Sequence, residues 1–232
     1  MYIYKIKSEL PLTEYAPTWN ISIGRATWTE TDKIDSIRKW LIANEERIIK
    51  SYPVFNDGGT GLGDDSVTSR SRRYNLFDFA NELPELNDLL KFIRKTYIDF
   101  VHNDYTNKID LVIVCWFNIV RAGQQIEEHS HCLDRDCYLS ANIHLDNYPT
   151  KTSYRSPFRM YDEHAFENTK GGISIFPSYV PHKATTYPET SEPRVSIACD
   201  LRLPDTLGLY PDDLNAREFM SRTIFENLIS EK

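Results

Sequence analysis

The sequence predicts a mainly β protein with flanking helices, in which the strands form an antiparallel sandwich or barrel. Four segments are predicted as strands with a period of two, residues 111–120, 138–145, 171–176 and 194–203. This period of two is typical of strands with one buried face. No helical pattern long enough for a βαβ unit separates the four segments, and this favours antiparallel pairing.

Helices are predicted on both sides of these strands. The first has one apolar face, formed by Ile34, Ile37, Leu41 and Ile48. The second has a similar face, formed by Leu86, Leu89, Leu90, Ile93, Tyr97, Phe100 and Val101. The tail shows helical spacing at Leu214, Phe219, Met220 and Ile224. We interpret residues 1–232 as one domain, with mostly helical support and a loop in 1–109, a β core in 110–203 and a C-terminal helix in 204–232.

The composition excludes several classes of protein. Of the 232 residues, 41% are hydrophobic, which is enough for a sizeable core. The formal net charge of −7 argues against nucleic acid or an anionic membrane as a general partner. The sequence has neither an apolar run of about 18 residues nor an apolar segment typical of a secretion signal. We therefore expect an intracellular, cytoplasmic protein, in the host cytoplasm if a phage encodes it, with its cysteines as free thiols.

Two closely spaced histidines, His129 and His131, follow the predicted strand 111–120. On an extended segment they project to the same side, with Cα atoms roughly 6–7 Å apart. Their imidazoles can then bind one metal ion, and His182, just beyond the strand 171–176, is the candidate third ligand. Imidazole suits iron, zinc, copper or nickel. Cys132 and Cys137 offer an alternative zinc set with the first two histidines, although the spacing is crowded for zinc. His102 and His164 are interpreted as surface residues.

The polar faces of two strands predict a pocket. One face carries the hydrogen-bonding side chains of Tyr138, Ser140, Asn142 and His144. The other carries Arg194, Ser196, Ala198, Asp200 and Arg202. An ordinary sheet with one solvated face is the simpler alternative.

The order of these motifs resembles the iron(II)/2-oxoglutarate-dependent oxygenases. The matching segments are "GQQIEEHSH" at 123–131, "FPSYVPH" at 176–182 and "RVS" at 194–196. The similarity is greatest to small members of the superfamily encoded in phage and bacterial genomes, and it covers residues 110–203. It implies a double-stranded β-helix, a jelly-roll or cupin-like core. It also implies iron ligation by His129 and His182, and a grip on the far carboxylate of 2-oxoglutarate by Arg194 and Ser196.

The chain departs from the superfamily at one ligand. His131 occupies the position where the superfamily has Asp or Glu. The sequence leaves three outcomes open: His131 is a third neutral ligand, it stands aside from a site with two histidines, or a nearby carboxylate such as Glu128 or Asp134 replaces it. Glu128 has the wrong parity on a regular strand.

The resemblance implies Fe(II) as the cofactor, 2-oxoglutarate as co-substrate and O₂ as oxidant, with decarboxylation coupled to hydroxylation of a small molecule or a peptide. Asn142, His144 and Tyr138, and less strongly Tyr154, are candidates for further contacts with the co-substrate. Two other classes remain: a three-histidine cupin-like dioxygenase that uses no 2-oxoglutarate, and a non-catalytic jelly-roll module. The sequence also leaves a homo-oligomer open.

The loop between the two predicted helices is a candidate lid. It contains "DDSVTSRSRRYNLF" at 64–77, where Arg70, Arg72 and Arg73 could meet an anionic substrate or a peptide. The alternative is a solvated loop.

Overall fold

The structure is a computed structural model that describes residues 1–101, 110–131, 138–159, 161–188, 192–204 and 217–220. These residues form two α-helices, α1 (Thr31–Ser51) and α2 (Glu85–Val101), together with eleven strands. The strands are β1 (Tyr2–Lys7), β2 (Asn20–Thr27), β3 (Leu111–Val120), β4 (Ile126–His129), β5 (Leu139–His144), β6 (Tyr148–Arg155), β7 (Glu163–Asn168), β8 (Gly172–Pro177), β9 (His182–Ala184), β10 (Arg194–Arg202) and β11 (Arg217–Met220).

The strands form two antiparallel sheets. The larger sheet has the order β1-β2-β8-β5-β10-β3-β11, and the smaller has the order β4-β9-β6-β7. The sheets face each other across a cavity and form the two walls of a double-stranded β-helix. The predicted fold class is confirmed, and the four predicted strands correspond to β3, β5, β8 and β10.

Strand β10 shows how the alternation divides a core from a cavity. It lies between β3 and β5 in the large sheet. Val195, Ile197 and Cys199 are fully buried in the main hydrophobic core. The alternate residues of the strand point to the opposite face, where Arg194 and Asp200 line the cavity. The predicted pocket on the polar face of this strand is therefore present.

The two helices cover the outer face of the large sheet. Helix α1 buries the four residues predicted for its apolar face, Ile34, Ile37, Leu41 and Ile48. Two 3₁₀ turns follow it, Val67–Arg70 and Leu76–Phe79. Side-chain hydrogen bonds hold this segment to β3, from Thr68 Oγ1 to Asn118 Oδ1 at 2.8 Å and from Asn75 Nδ2 to the Ile113 carbonyl at 2.8 Å.

The N-terminal section contains two strands that the helical prediction for residues 1–109 omitted. Strands β1 and β2 pair with each other, and β2 pairs with β8, so the large sheet begins at residue 2. The buried residues Ile6, Ile21 and Ile23 belong to a second hydrophobic cluster with Tyr154 and Phe176. Burial of these side chains requires an extended N-terminus.

The C-terminal helix prediction is wrong for Arg217–Met220. These residues form strand β11 and pair with the edge of β3. Phe219 and Met220 are adjacent in sequence and both buried, because the pairing shifts register between Glu218 and Met220. The predicted helix residues Leu214 and Ile224 lie outside the described residues.

Neither helix α1 nor helix α2, nor any other helix in the described part of the chain, is long and apolar enough to cross a membrane.

Candidate metal centre

Antiparallel pairing brings the candidate ligands together. His129, the last residue of β4, lies directly opposite His182, the first residue of β9. Their ring centroids are 4.5 Å apart. His131 lies just beyond the end of β4, where its backbone N–H donates to the Ser178 carbonyl at 2.9 Å. Its ring centroid is 5.0 Å from that of His182.

The three histidines can hold one metal ion. One ring nitrogen from each of His129, His131 and His182 lies within 4.8 Å of the others. The Nδ1 atoms have other partners: the Glu127 carbonyl at 2.8 Å for His129 and the Val180 carbonyl at 3.1 Å for His182. A carbonyl oxygen can only accept, so each Nδ1 carries the proton and donates. This tautomer leaves the Nε2 lone pair for a metal.

Burial keeps two of these imidazoles neutral. Burial, together with the neighbouring His131, lowers the pKa of His129 to about 4. Burial, together with the neighbouring His129 and His131, lowers the pKa of His182 well below its ordinary value. Neutral imidazole is the form that binds metal, so these side chains are ready to act as ligands near neutral pH.

Asp200 is the hydrogen-bond partner of His131, and nothing in the sequence indicated that it belongs to the metal centre. His131 Nδ1 lies 2.5 Å from Asp200 Oδ1, and both side chains are almost completely buried. Burial raises the pKa of Asp200, but His131, Arg202 and Ser140 together outweigh burial and hold that pKa below its usual range. The alternation along β10 predicted that Asp200 lies on the polar face. Its contact with His131 depends on the register of the strands, which the alternation does not give.

The other carboxylates considered as ligands are not part of this cluster. Glu128 Oε2 accepts a hydrogen bond from Arg155 Nε at 2.9 Å, and the residue points away from the three histidines as its parity predicts. Asp134 and the two cysteines of the alternative zinc set, Cys132 and Cys137, lie outside the described residues.

The three histidines line a cavity of about 240 Å³ between the sheets, which also contains Arg194 and Ser196. Arg194 is 1% exposed, and its Nε and Nη1 atoms have no hydrogen-bond partner among the described residues. Burial lowers the pKa of Arg194 to about 10, so it remains a cation at neutral pH. Two carboxylates close to Arg194 in the sequence have other contacts: Asp200 contacts His131, and Glu192 contacts Arg38.

Two further predicted residues line the same cavity, Asn142 and His144. Asn142 Nδ2 donates to the Tyr154 hydroxyl at 2.9 Å, while Asn142 Oδ1 and His144 Nδ1 are buried without a partner in the described part of the chain. Burial and the charge of Arg194 lower the pKa of His144 well below its ordinary value. These atoms and the guanidinium form a polar, incompletely paired group in the cavity.

Tyr138 does not line the cavity. Strand β5 begins at Leu139, so the alternation does not extend to Tyr138. Its hydroxyl lies 2.8 Å from the hydroxyl of Tyr97 on α2.

The segment after α1 covers part of the cavity, as a lid would. Phe55, Asp57 and Arg72 are among its lining residues. The guanidinium of Arg72 lies 5.3 Å from the centre of the Phe55 ring, and that of Arg73 lies 5.2 Å from it. Arg70 has a structural role instead, because it donates to the backbone carbonyls of Asp64 and Ser66 within its own segment.

The remaining histidines are separate from this centre. His164 Nδ1 lies 2.7 Å from the Tyr4 hydroxyl, and His164 Nε2 lies 3.0 Å from Asp162 Oδ1. This arrangement agrees with a structural role. His102 lies outside the described residues.

Comparison with solved structures identifies the fold. A prolyl-4-hydroxylase from Pseudomonas putida matches with a TM-score of 0.52 and 14% identity, over 78% of this chain and 92% of that one. The α-ketoglutarate-dependent epimerase SnoN from nogalamycin biosynthesis matches with a TM-score of 0.51 and 11% identity, over 78% and 76% of the two chains. A Trichoplax adhaerens prolyl hydroxylase, solved with a peptide fragment of hypoxia inducible factor, matches with a TM-score of 0.51 and 10% identity, over 81% and 87%.

No protein-family model matches the sequence, and no curated protein matches it. The similarity therefore lies in the arrangement of the strands rather than in overall sequence identity. This chain has the double-stranded β-helix fold of the iron(II)/2-oxoglutarate-dependent oxygenases.

Proposed function

We propose that this protein is an iron(II)- and 2-oxoglutarate-dependent oxygenase whose iron is held by three histidines. One observation carries the proposal. Nε and Nη1 of the buried Arg194 guanidinium have no hydrogen-bond partner among the described residues, and Arg194 lines the same cavity as His129, His131 and His182. An unpaired buried charge is costly. A dianionic co-substrate that binds beside the metal would supply the missing partner.

The Nε2 atoms of the three histidines would bind the iron. This donor set fits Fe(II), although it differs from the usual two-histidine, one-carboxylate triad. When Fe(II), 2-oxoglutarate and O₂ are bound, they supply oxidative decarboxylation coupled to hydroxylation of a substrate C–H bond. Three neutral imidazoles bring no negative charge to Fe(II), and this favours an anionic chelator.

Arg194 and Ser196 would bind the far carboxylate of 2-oxoglutarate. A guanidinium presents two parallel N–H donors that match a carboxylate, and Arg194 has two donor nitrogens without a partner in the described chain. Ser196 lies two residues along the same strand, on the same face, and lines the cavity. Its hydroxyl would act as a further donor.

Asn142 and His144 would complete the co-substrate's contacts. Asn142 Oδ1 and His144 Nδ1 are buried, line the cavity and lack partners among the described residues. His144 Nδ1 would donate to a carboxylate oxygen in the tautomer that protonates this nitrogen. Asn142 Oδ1 can only accept, so a water molecule would link it to the dianion. Both residues lie on β5, which pairs with β10, so they flank the side of the cavity that carries Ser196.

The substrate would enter past Phe55 and Arg72. The solved proteins with this fold include prolyl hydroxylases, one of them solved with a peptide fragment, and an epimerase from nogalamycin biosynthesis. These proteins catalyse more than one reaction, so the fold alone does not determine the reaction type. We propose hydroxylation of a small molecule or a peptide.

Anaerobic spectroscopy tests iron and co-substrate together. Purified protein is loaded with Fe(II), and 2-oxoglutarate is then titrated while visible absorption is recorded. We expect a metal-to-ligand charge-transfer band that saturates with 2-oxoglutarate. Protein that binds iron but gives no such band would instead be a three-histidine metal enzyme without this co-substrate. Protein that binds no metal would be a non-catalytic module.

A further inference from the structure

We propose that Asp200 is a positioning residue that supplies the negative charge of this metal centre through His131. The usual triad places a carboxylate on the metal itself. Here an imidazole occupies that position, and a buried carboxylate lies directly behind it. The inference rests on the proposed metal centre, and its test below separates failure of Asp200's role from failure of that centre.

The geometry of the pair carries the proposal. His131 Nδ1 and Asp200 Oδ1 are 2.5 Å apart, with 8% and 9% of the two side chains exposed. A carboxylate accepts, so His131 Nδ1 donates and its Nε2 is left for the metal. This hydrogen bond fixes both the tautomer and the direction of the ring.

Asp200 is itself held in place. Ser140 Oγ donates to Asp200 Oδ1 at 2.7 Å, and Arg202 Nη2 lies 3.5 Å from Asp200 Oδ2. Asp200 also lies opposite Ser140 in the β5–β10 register. These contacts fix the carboxylate from neighbouring positions, so the acceptor for His131 is preorganised.

His131 differs from the other two histidines in the nature of its partner. His129 and His182 donate to neutral backbone carbonyls. Only His131, among these three, has an ionisable side chain as its Nδ1 partner. A carboxylate makes an imidazole a stronger ligand than a carbonyl does. Asp200 would therefore compensate in part for the absence of a carboxylate from the ligand set.

Isothermal titration with Co(II), without 2-oxoglutarate, tests this role apart from turnover. Asp200→Asn keeps the side-chain shape and an acceptor oxygen but removes the charge. We expect about 10- to 100-fold weaker Co(II) binding, as is typical when such a partner of a ligand is lost. The absorption spectrum of bound Co(II) should also shift, because the donor strength of one ligand falls.

Glu128→Gln is the matched control. It also converts a carboxylate to an amide, beside His129 in sequence, but Glu128 pairs with Arg155 and not with a ligand. We expect Co(II) affinity within about threefold of wild type, because Glu128 is exposed and its pair with Arg155 does not involve a ligand. An Asp200→Asn protein that binds Co(II) as tightly as the Glu128→Gln protein would overturn the proposal.

A double-mutant cycle with His131→Ala gives a second, independent measurement. That substitution removes the imidazole through which Asp200 would act on the metal. Asp200→Asn should therefore change Co(II) affinity by only about twofold to threefold in the His131→Ala background, although it weakens binding about 10- to 100-fold when His131 is present. Equal weakening in both backgrounds would indicate a purely structural role for Asp200 and would contradict the proposal.

Measurements on the wild-type protein distinguish failure of the proposed metal centre from failure of the proposed role of Asp200. If it binds no Co(II) or Fe(II), the metal centre itself is wrong, and Asp200's role falls with it. If it binds metal but gives no charge-transfer band with 2-oxoglutarate, the proposed function fails while the cycle still decides the role of Asp200.

Discussion

His129 and His182 lie directly opposite each other in the β4–β9 pair, with ring centroids 4.5 Å apart. Both rings donate from Nδ1 to a backbone carbonyl, so their Nε2 atoms are available to one ion. We expect His129→Ala and His182→Ala each to lose bound Fe(II) and to remain folded. Metal content after gel filtration, with circular dichroism as the control for folding, checks this. A variant with wild-type iron content would remove that histidine from the ligand set.

His131→Ala should weaken iron binding by at least about tenfold. The substitution removes an imidazole, and loss of a mere outer partner of a ligand already costs 10- to 100-fold in affinity. The measurement is a competitive Fe(II) titration of the anaerobic protein against a chelator. Equal affinity in wild type and variant would show that His131 stands aside from a two-histidine site.

Gly171 is expected to be a sensitive position for stability. It has φ +71°, and an added Cβ would lie 2.1 Å from the Trp28 carbonyl oxygen and 2.9 Å from Ile34 Cδ1. Backbone strain and the clash both act against Gly171→Ala, so we expect a loss of about 3 kcal/mol or more in unfolding free energy.

Gly123→Ala is the matched control for that substitution. Gly123 has φ +78°, but no atom lies within 4 Å of an added Cβ. We expect a loss of only about 1–2 kcal/mol from backbone strain. Urea unfolding of both variants separates strain from collision, and equal losses would mean that the contact with Trp28 relaxes at no cost.

The pattern of apolar residues predicted the two longest strands. The segments 111–120 and 194–203 correspond closely to β3 (Leu111–Val120) and β10 (Arg194–Arg202). Strands β4 and β9 have four and three residues, too few for a period of two to stand out. They form because β4 pairs with β9 and β9 pairs with β6, and the local sequence does not encode this pairing.

The histidine cluster could be predicted because a resemblance supplied the order of its residues. The partner of His131 could not, because Asp200 lies 69 residues away and the contact depends on how β10 is placed in the sheet. The alternation predicted Tyr138 on the cavity face. Strand β5 begins one residue later, at Leu139, and Tyr138 does not line the cavity. The polar face of β10 was predictable, whereas the particular partner of each polar group was not.

We expect Arg194 to bind the far carboxylate of 2-oxoglutarate. Removing one side of a buried charge pair costs about 2–5 kcal/mol. Arg194→Ala should therefore bind 2-oxoglutarate roughly 30-fold more weakly or worse, at about 1.4 kcal/mol per tenfold. Arg194→Lys should recover only part of the loss, because a single ammonium cannot reproduce the planar pair of donors. Iron content should stay near that of wild type in both variants.

Arg121→Ala controls for the loss of a positive charge. Arg121 Nη2 already lies 2.6 Å from Glu45 Oε2 at the surface, so its removal should leave 2-oxoglutarate binding unchanged. The decisive measurement is anaerobic titration of 2-oxoglutarate into the iron-loaded wild-type, Arg194→Ala and Arg121→Ala proteins. We expect weak binding only in Arg194→Ala. Wild-type affinity in the Arg194→Ala protein would contradict the assignment of this chain as a 2-oxoglutarate-dependent enzyme.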